Sequence, residues 1–214
     1  MSVTRIDSAI PYDSNIYLLK GRSAILIDAG TGLDSDNVIR SIWQALGGIR
    51  LSAVLLTHCH ADHVGGLKAI VEEFGCPAYA YPPDRDVIEK AHANILVSAM
   101  MGLQLDPVPC KVLRDTDTFD IGDHRLQVIH TPGHTAGGVC FLDTVTNTLF
   151  SGDTVFAQGF GRTDLPTGNF EQLLHSLRQL RNINIGTLYP GHGPGTDDGN
   201  RAVRDAISMM EGAY

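Results

Sequence analysis

Short apolar runs alternate with amphipathic stretches along the whole chain, and glycine, proline or aspartate separates most of them. Apolar positions that recur with a helical period predict helices at 38–46, 67–74, 82–95, 170–180 and 202–210. Asp34 or Ser35 is expected to cap the first of these helices, and Gly47 to end it. Continuous or alternating apolar runs predict strands at 16–20, 24–28, 53–57, 78–81, 118–121, 125–130, 139–142, 148–150 and 187–189.

Strands and helices occur together in both halves of the chain, which divide near residue 115. This order predicts a mixed α/β fold in which two sheets form a pseudo-twofold sandwich between helical layers. A chain of 214 residues is long enough to bury one large core. We therefore expect a single domain over residues 1–214.

Composition and charge narrow the classes of partner. The net charge is −8, with 16 Lys and Arg against 24 Asp and Glu, so neither nucleic acid nor an anionic membrane surface is an expected partner. The chain has no apolar stretch of about 18 residues and no opening segment with a signal-peptide layout. We expect a cytoplasmic protein that binds a small-molecule substrate. Its oligomeric state stays open, with a homodimer as one option.

The cysteines and the apolar segment 99–103 carry weaker expectations. The four cysteines are scattered without a CxxC pair, which favours reduced thiols. The segment Ala99-Met100-Met101-Gly102-Leu103 is either one wall of a substrate pocket or a set of side chains that fills gaps in the core.

Histidine is the unusual residue in the composition, because the chain has nine. Four predicted strands run directly into short loops that carry metal-type ligands. These seven residues are His58, His60, Asp62 and His63 after the strand at 53–57, His134 after 125–130, Asp153 after 148–150, and His192 after 187–189. The other four histidines, His92, His124, His130 and His175, have no such setting, and we expect them at the surface or satisfied in the core.

Five imidazoles and two carboxylates are too many ligands for one tetrahedral zinc ion, so they predict two ions that share a bridge. His58 and His60, two residues apart, can hold one ion, while Asp62 and His63 are directed to the second. Asp153 has two carboxylate oxygens and can bridge both ions. Zinc is the first expectation for these two divalent ions, and iron or manganese also suits such ligands.

These motifs resemble the metallo-β-lactamase-fold hydrolase superfamily, and within it the glyoxalase II-like (hydroxyacylglutathione hydrolase-like) branch. The resemblance covers nearly the whole chain and implies a four-layer αββα sandwich with the metals at one edge of the sheets. It also implies a ligand assignment: His58, His60 and His134 on the first ion, Asp62, His63 and His192 on the second, and Asp153 between them. The loop 161–166 is similar to one in the small hydroxyacylglutathione-hydrolase-like proteins and in the persulfide dioxygenase-like branch. We expect Arg162 and Asp164 to form an ion pair that holds it.

The chemistry expected from this set is hydrolysis by a metal-bound hydroxide, with a thioester (hydroxyacylglutathione-like) or a related acyl compound as the substrate. Asp62 is the expected catalytic residue, because it would bind the second ion and orient the nucleophile. Long glyoxalase II enzymes place a glutathione-holding helical domain after the last metal histidine, whereas only Gly193 to Tyr214 follow His192 here. The thiol part of the substrate therefore stays open.

The sequence leaves four alternatives to the leading hypothesis. The first alternative is a persulfide dioxygenase with a single non-haem iron on His58, His60 and His134 or Asp153. A metal-binding module without catalysis is a second, and the full ligand set disfavours it. Ribonuclease Z-like phosphodiesterase activity is disfavoured by the acidic balance of the chain. Lactam hydrolysis is expected only as a weak side activity.

Overall fold

Successive side chains along the strands face two different apolar cores in the computed structural model of the chain. The model describes residues 2–212. In the strand Ile16–Lys20, Ile16 and Leu18 face one core, whereas Tyr17 and Leu19 face another. Since both faces of this strand are buried, its sequence is a continuous apolar run rather than a polar and apolar alternation.

Two sheets build the centre of the fold. The first has the strands β1 (Ser2–Ile6), β2 (Ile16–Lys20), β3 (Ala24–Ile27), β4 (Leu51–Leu55), β5 (Ala78–Ala80) and β6 (Cys110–Val112), in that spatial order. The second has β7 (Thr118–Asp120), β8 (Arg125–His130), β9 (Val139–Asp143), β10 (Thr148–Gly152) and β13 (Leu188–Pro190), in the spatial order β13-β10-β9-β8-β7. A short hairpin of β11 (Val155–Phe156) and β12 (Gly159–Phe160) follows β10. Strands β3 to β6 are parallel neighbours, and so are β10 and β13.

Helices cover the outer face of each sheet. They are α1 (Ser35–Leu46), α2 (Ala61–Val64), α3 (Leu67–Phe74), α4 (Pro82–Glu89), α5 (Phe170–Leu180) and α6 (Gly199–Glu211). One core packs α1, α3 and α4 against the first sheet, a second packs α5 and α6 against the second sheet, and the third lies between the sheets. These three cores define an αββα sandwich, which confirms the predicted fold class. The single-domain assignment stays a prediction.

Several predicted boundaries were wrong, each for a local reason. The helix expected to reach Ile95 ends at Glu89, and Ala91 has a left-handed φ of 48°, which a continuing helix does not allow. Asp34 occupies the cap position of α1, but its carboxylate accepts from the Ala9 amide and the Asn37 side chain instead of the helix backbone. Strands β4 and β13 and helix α6 are offset from their predictions by one to three residues.

The elements that the sequence did not predict are short or peripheral. They are β1, β6, α2 and the hairpin β11-β12. Each of the four cysteines is buried and free. Among residues 2–212, no helix is long and apolar enough to span a membrane.

Candidate metal centre

The seven predicted ligand residues meet at one rim of the sandwich. The loop after β4 leads into α2 and brings His58 to His63, while the loops after β8, β10 and β13 bring the other three residues. Since β3, β4 and β5 are parallel and β10 is parallel to β13, these strands present their carboxyl ends at common edges. The strand ends therefore bring residues that are far apart in sequence into one cluster.

Two ligand groups can be distinguished in the cluster by burial. The first, which we call the inner group, is His58, His60 and His134, all buried. The second, the outer group, is Asp62, His63 and His192, in which the Asp62 and His192 side chains are 19% and 34% exposed. Within each group the coordinating atoms lie within 4.8 Å of one another. The inner group is thus more deeply buried than the outer group.

Asp153 lies between the two groups. One carboxylate oxygen is 3.4 Å from His63 Nε2, and the other is 3.6 Å from His134 Nε2 and 3.7 Å from His192 Nε2. The outer group closes with a 3.0 Å contact between Asp62 Oδ2 and His192 Nε2. Asp153 is therefore placed where a bridging carboxylate is expected.

A hydrogen-bond chain below the cluster orients His58 and His63. Asp28 accepts from the Thr57 amide, the Thr57 hydroxyl and His63 Nδ1, each at 2.8 Å. Since that hydroxyl donates to Asp28, its oxygen accepts from His58 Nδ1 at 3.0 Å. Both imidazoles therefore direct Nδ1 to these acceptors and Nε2 towards the cluster.

Asp28 itself has a left-handed φ of 60°, which is rare for a residue with a side chain. Such strain persists where the surrounding contacts fix the backbone, and it is common at functional sites. Asp28 directly follows β3, so the argument from strand ends that located the seven ligands applies to this residue as well.

A second buried carboxylate, that of Asp84, joins the two loops of the inner group. It accepts from the Cys59 amide at 2.9 Å, the Thr135 hydroxyl at 2.7 Å and the Gly137 amide at 2.7 Å. Cys59 lies between His58 and His60, and Thr135 follows His134, so Asp84 fixes the separation of the inner ligands. Its sequence context, the first turn of a helix after two prolines, gave no indication of this role.

The loop that carries His192 is held by backbone acceptors. The Asn15 side chain donates to the carbonyls of Pro190 and Gly193, both at 2.9 Å, and the Asn15 backbone N–H donates to Gly191 O at 2.7 Å. Tyr17 donates its hydroxyl to Pro190 O at 2.8 Å. Burial raises the pKa of Tyr17, so this hydroxyl stays protonated and remains a donor.

Burial and charge set the ionisation of the ligands. Burial lowers the pKa of His60 to about 3, and burial together with the neighbouring imidazoles lowers the pKa of His58. Burial alone would raise the pKa of Asp153, but the nearby His63 and the other histidines lower it below its usual range. At neutral pH His58 and His60 are thus neutral imidazoles and Asp153 is a charged carboxylate, the forms that bind metal ions.

The unsatisfied atoms of the cluster fit metal ligation. Among residues 2–212, five buried side-chain N or O atoms lack a hydrogen-bond partner, and three of them are His58 Nε2, His60 Nε2 and Asp153 Oδ1. A buried polar atom without a partner destabilises a fold, so three in one cluster point to a bound ligand. This donor set of imidazoles and carboxylates is compatible with two divalent cations.

The remaining predictions at this rim have mixed outcomes. Met101 lines the cavity above the cluster, whereas Met100 is 75% exposed and fills no gap in the core. Arg162 and Asp164 form the expected ion pair through two contacts of 2.7 and 2.6 Å. His92 and His175 are exposed, His130 stacks on Tyr81, and His124 is paired with Asp143 in the core, so none belongs to the cluster.

Comparison with known proteins identifies the family. The model of the metallo-beta-lactamase superfamily matches residues 9–192, from the first loop to the last ligand histidine. The chain belongs to this superfamily. It is 36% identical over 191 residues to a probable metallo-hydrolase of Methanocaldococcus jannaschii, a match that covers 85% of this chain and 88% of the relative.

Two solved structures of the superfamily share the fold closely. The BLEG-1 B3 metallo-beta-lactamase matches with a TM-score of 0.81 at 30% identity, covering 94% of this chain and 96% of the other. TTHA1623, solved in a di-iron-bound form, matches with a TM-score of 0.78 at 34% identity, covering 94% and 97% of the two chains. The superfamily and its fold are thus established, whereas these comparisons do not single out the glyoxalase II-like branch.

Proposed function

We propose that this protein is a two-metal hydrolase of thioesters or related acyl compounds, of the glyoxalase II-like branch. One observation carries the proposal: two complete ligand groups lie on either side of Asp153, and five of these seven residues line one open cavity of about 420 Å³. The relative solved in a di-iron-bound form supports two ions and keeps iron beside zinc as the native metal. A single-ion function would leave the outer group without a role.

Two bound divalent ions would bring the pKa of a coordinated water towards neutrality and stabilise negative charge on the substrate's carbonyl oxygen. In thioester hydrolysis the water oxygen forms a bond to the carbonyl carbon and the C–S bond breaks. The products are a carboxylic acid and a thiol. Among the described residues 2–212, those that line the cavity include no serine or cysteine, and the nearby Cys59 is buried, which raises the pKa of its thiol.

Asp62 is the residue best placed to orient the attacking water. Its carboxylate lines the cavity, 3.0 Å from His192 Nε2 and 3.7 Å from His63 Nε2. Burial would raise the pKa of Asp62, but His63 and His192 outweigh it and lower the pKa. Asp62 is thus ionised at neutral pH and accepts a hydrogen bond from water while it holds the outer group together.

The test combines metal analysis with turnover. We expect two ions per chain in protein purified without oxygen or added metal, and cleavage of simple thioesters. Asp62→Ala should lower kcat/KM by roughly 100-fold or more, the range for loss of a group that positions or deprotonates the nucleophile. Asp123→Ala, which removes an exposed carboxylate, is the matched control.

Two results would overturn the proposal. One is normal turnover and metal content in Asp62→Ala. The other is a single iron per chain with oxygen consumption on adding a persulfide, since hydrolysis consumes no oxygen. That second result would establish the dioxygenase alternative.

A further inference from the structure

The wall of the cavity opposite the ligand groups is apolar. Five residues of the cluster line the floor of the cavity: His60, Asp62, His134, Asp153 and His192. Five side chains complete the wall above them: Val97, Met101, Phe156, Phe160 and Leu165. All five are half-buried, so they are held in place yet remain accessible to a ligand.

Three separate segments build this apolar wall. Val97 and Met101 come from the turns after α4, the two phenylalanines from the hairpin β11-β12, and Leu165 from the loop that follows. Phe160 packs against the core of the second sheet, and the Phe156 ring lies 6.5 Å from the His192 ring. The wall is therefore anchored to the fold and lies directly beside the outer group.

Among residues 2–212, Arg162 is the one arginine or lysine that lines the cavity, and it is already paired. Both oxygens of Asp164 accept from Arg162, through Nε at 2.7 Å and Nη2 at 2.6 Å. Asp164 therefore offsets the charge of the guanidinium and weakens its attraction for a carboxylate on the substrate. The other ionisable side chains that line the cavity are Asp62, Asp153 and the three histidines.

We infer that this site accepts thioesters whose acyl group is an apolar chain, and that it prefers them to short hydroxyacyl and carboxyacyl groups. This inference rests on the proposed function, because it assumes that the carbonyl is held at the ligand groups. With the carbonyl there, the acyl chain extends over the apolar wall. Each methylene removed from water is then favourable, whereas a lactoyl group brings only a methyl group to the wall and a terminal carboxylate loses its hydration there.

The experiment measures kcat/KM of the metal-loaded enzyme on N-acetylcysteamine thioesters with acetyl, butanoyl, hexanoyl, lactoyl and succinyl groups. Since the thiol is constant and uncharged, only the acyl group varies. We expect kcat/KM to rise about two- to fourfold per added methylene from acetyl to hexanoyl, from the free energy of burying a CH₂ against a half-buried wall. Lactoyl and succinyl thioesters should be slower than butanoyl.

A pair of neighbouring methionines provides the matched variants. Met101→Gln places an amide in the wall at nearly constant length, and it should lower kcat/KM for the hexanoyl thioester more than for the acetyl one. Met100→Gln makes the same change on an exposed side chain and should leave the ratio of hexanoyl to acetyl unchanged. A lower ratio in the first variant alone assigns the preference to the wall.

The outcomes separate this inference from the proposed function. A flat series, or a lactoyl or succinyl thioester faster than hexanoyl, would overturn the inference and leave the hydrolase standing. Equal ratios in the two methionine variants would also overturn it. No cleavage of any of these thioesters would overturn the proposed function, and this inference with it.

Discussion

The inner and outer ligand groups differ in exposure and in chemistry. The inner group consists of three buried imidazoles, whereas the outer group combines two imidazoles with a carboxylate and is partly exposed to the cavity. An ion held by the inner group would be surrounded by more deeply buried side chains, although His60 and His134 also line the cavity. An ion held by the outer group would have more exposed ligands, so a substrate and a water molecule could reach it more readily. The two groups therefore suit different tasks, retention of an ion and access to it.

The supports of the two groups also differ. The inner group depends on buried side chains, Asp84 and the pair of Thr57 and Asp28, that accept hydrogen bonds from the ligands or their loops. The His192 loop of the outer group depends on donors from Asn15 and Tyr17 to its carbonyls. Asp28 contacts both Thr57 and His63 and so supports both groups, whereas Asp84 supports the inner loops and Asn15 supports the His192 loop. Variants of Asp84 and Asn15 therefore perturb one group at a time, and such experiments test whether the two groups are independent.

The largest effect is expected from Asp153→Asn, which changes the one residue that both groups share. Asp153 lies 3.4 to 3.7 Å from the ring nitrogens of His63, His134 and His192, and the amide removes its charge from both groups at once. We expect kcat/KM to fall by more than about 100-fold, beyond the loss typical of residues outside the ligand set. Fewer than two ions per chain should remain in elemental analysis. Two ions with normal turnover would show that Asp153 bridges nothing.

A smaller effect, confined to the affinity for the inner ion, is expected from Asp84→Asn. The carboxylate accepts three hydrogen bonds, whereas the amide has one acceptor oxygen and points an N–H at one of the existing donors. The loops of His60 and His134 should separate, and affinity for the inner ion should fall about 10- to 100-fold. Zinc occupancies from anomalous scattering in crystals soaked at limiting zinc distinguish the two positions. Equal losses at both would contradict the independence of the groups.

The sequence located the seven clustered residues better than the residues that support them. The seven follow apolar strands in recognisable loops, so residue type and position together indicate them. Asp28 was available to the same argument, because it directly follows β3, but it lacks a histidine neighbour that would mark it. Asp84 and Asn15 act through contacts with residues 51 and 175 positions away, respectively. No local pattern contains such pairings, since the fold alone creates them.

The same contrast holds for the secondary structure. The long buried strands and the helices α1, α3 and α5 follow their apolar periodicity closely. The period of Ala91 and Ile95 predicts a continuing helix after α4, yet the segment forms turns that bring Val97 and Met101 to the cavity. Packing around the site overrides local propensity there. The segment that lines the cavity after α4 is thus the part of the chain whose structure the sequence predicted least well.

The smallest effect is expected from Asn15→Ala, which loosens the outer group alone. The variant removes two side-chain hydrogen bonds to the carbonyls of Pro190 and Gly193, but the backbone N–H of residue 15 and the Tyr17 hydroxyl still hold the loop. We therefore expect an affinity loss for the outer ion of about 10-fold, at the low end for such supports, with the inner ion unaffected. Asn182→Ala, which removes a similar side-chain bond to the Arg178 carbonyl at the end of α5, is the control and should change neither. If Asn15→Ala instead empties both positions in parallel, the two groups bind their ions as one cooperative unit. The difference in burial would then describe only access to the site and not its metal affinity.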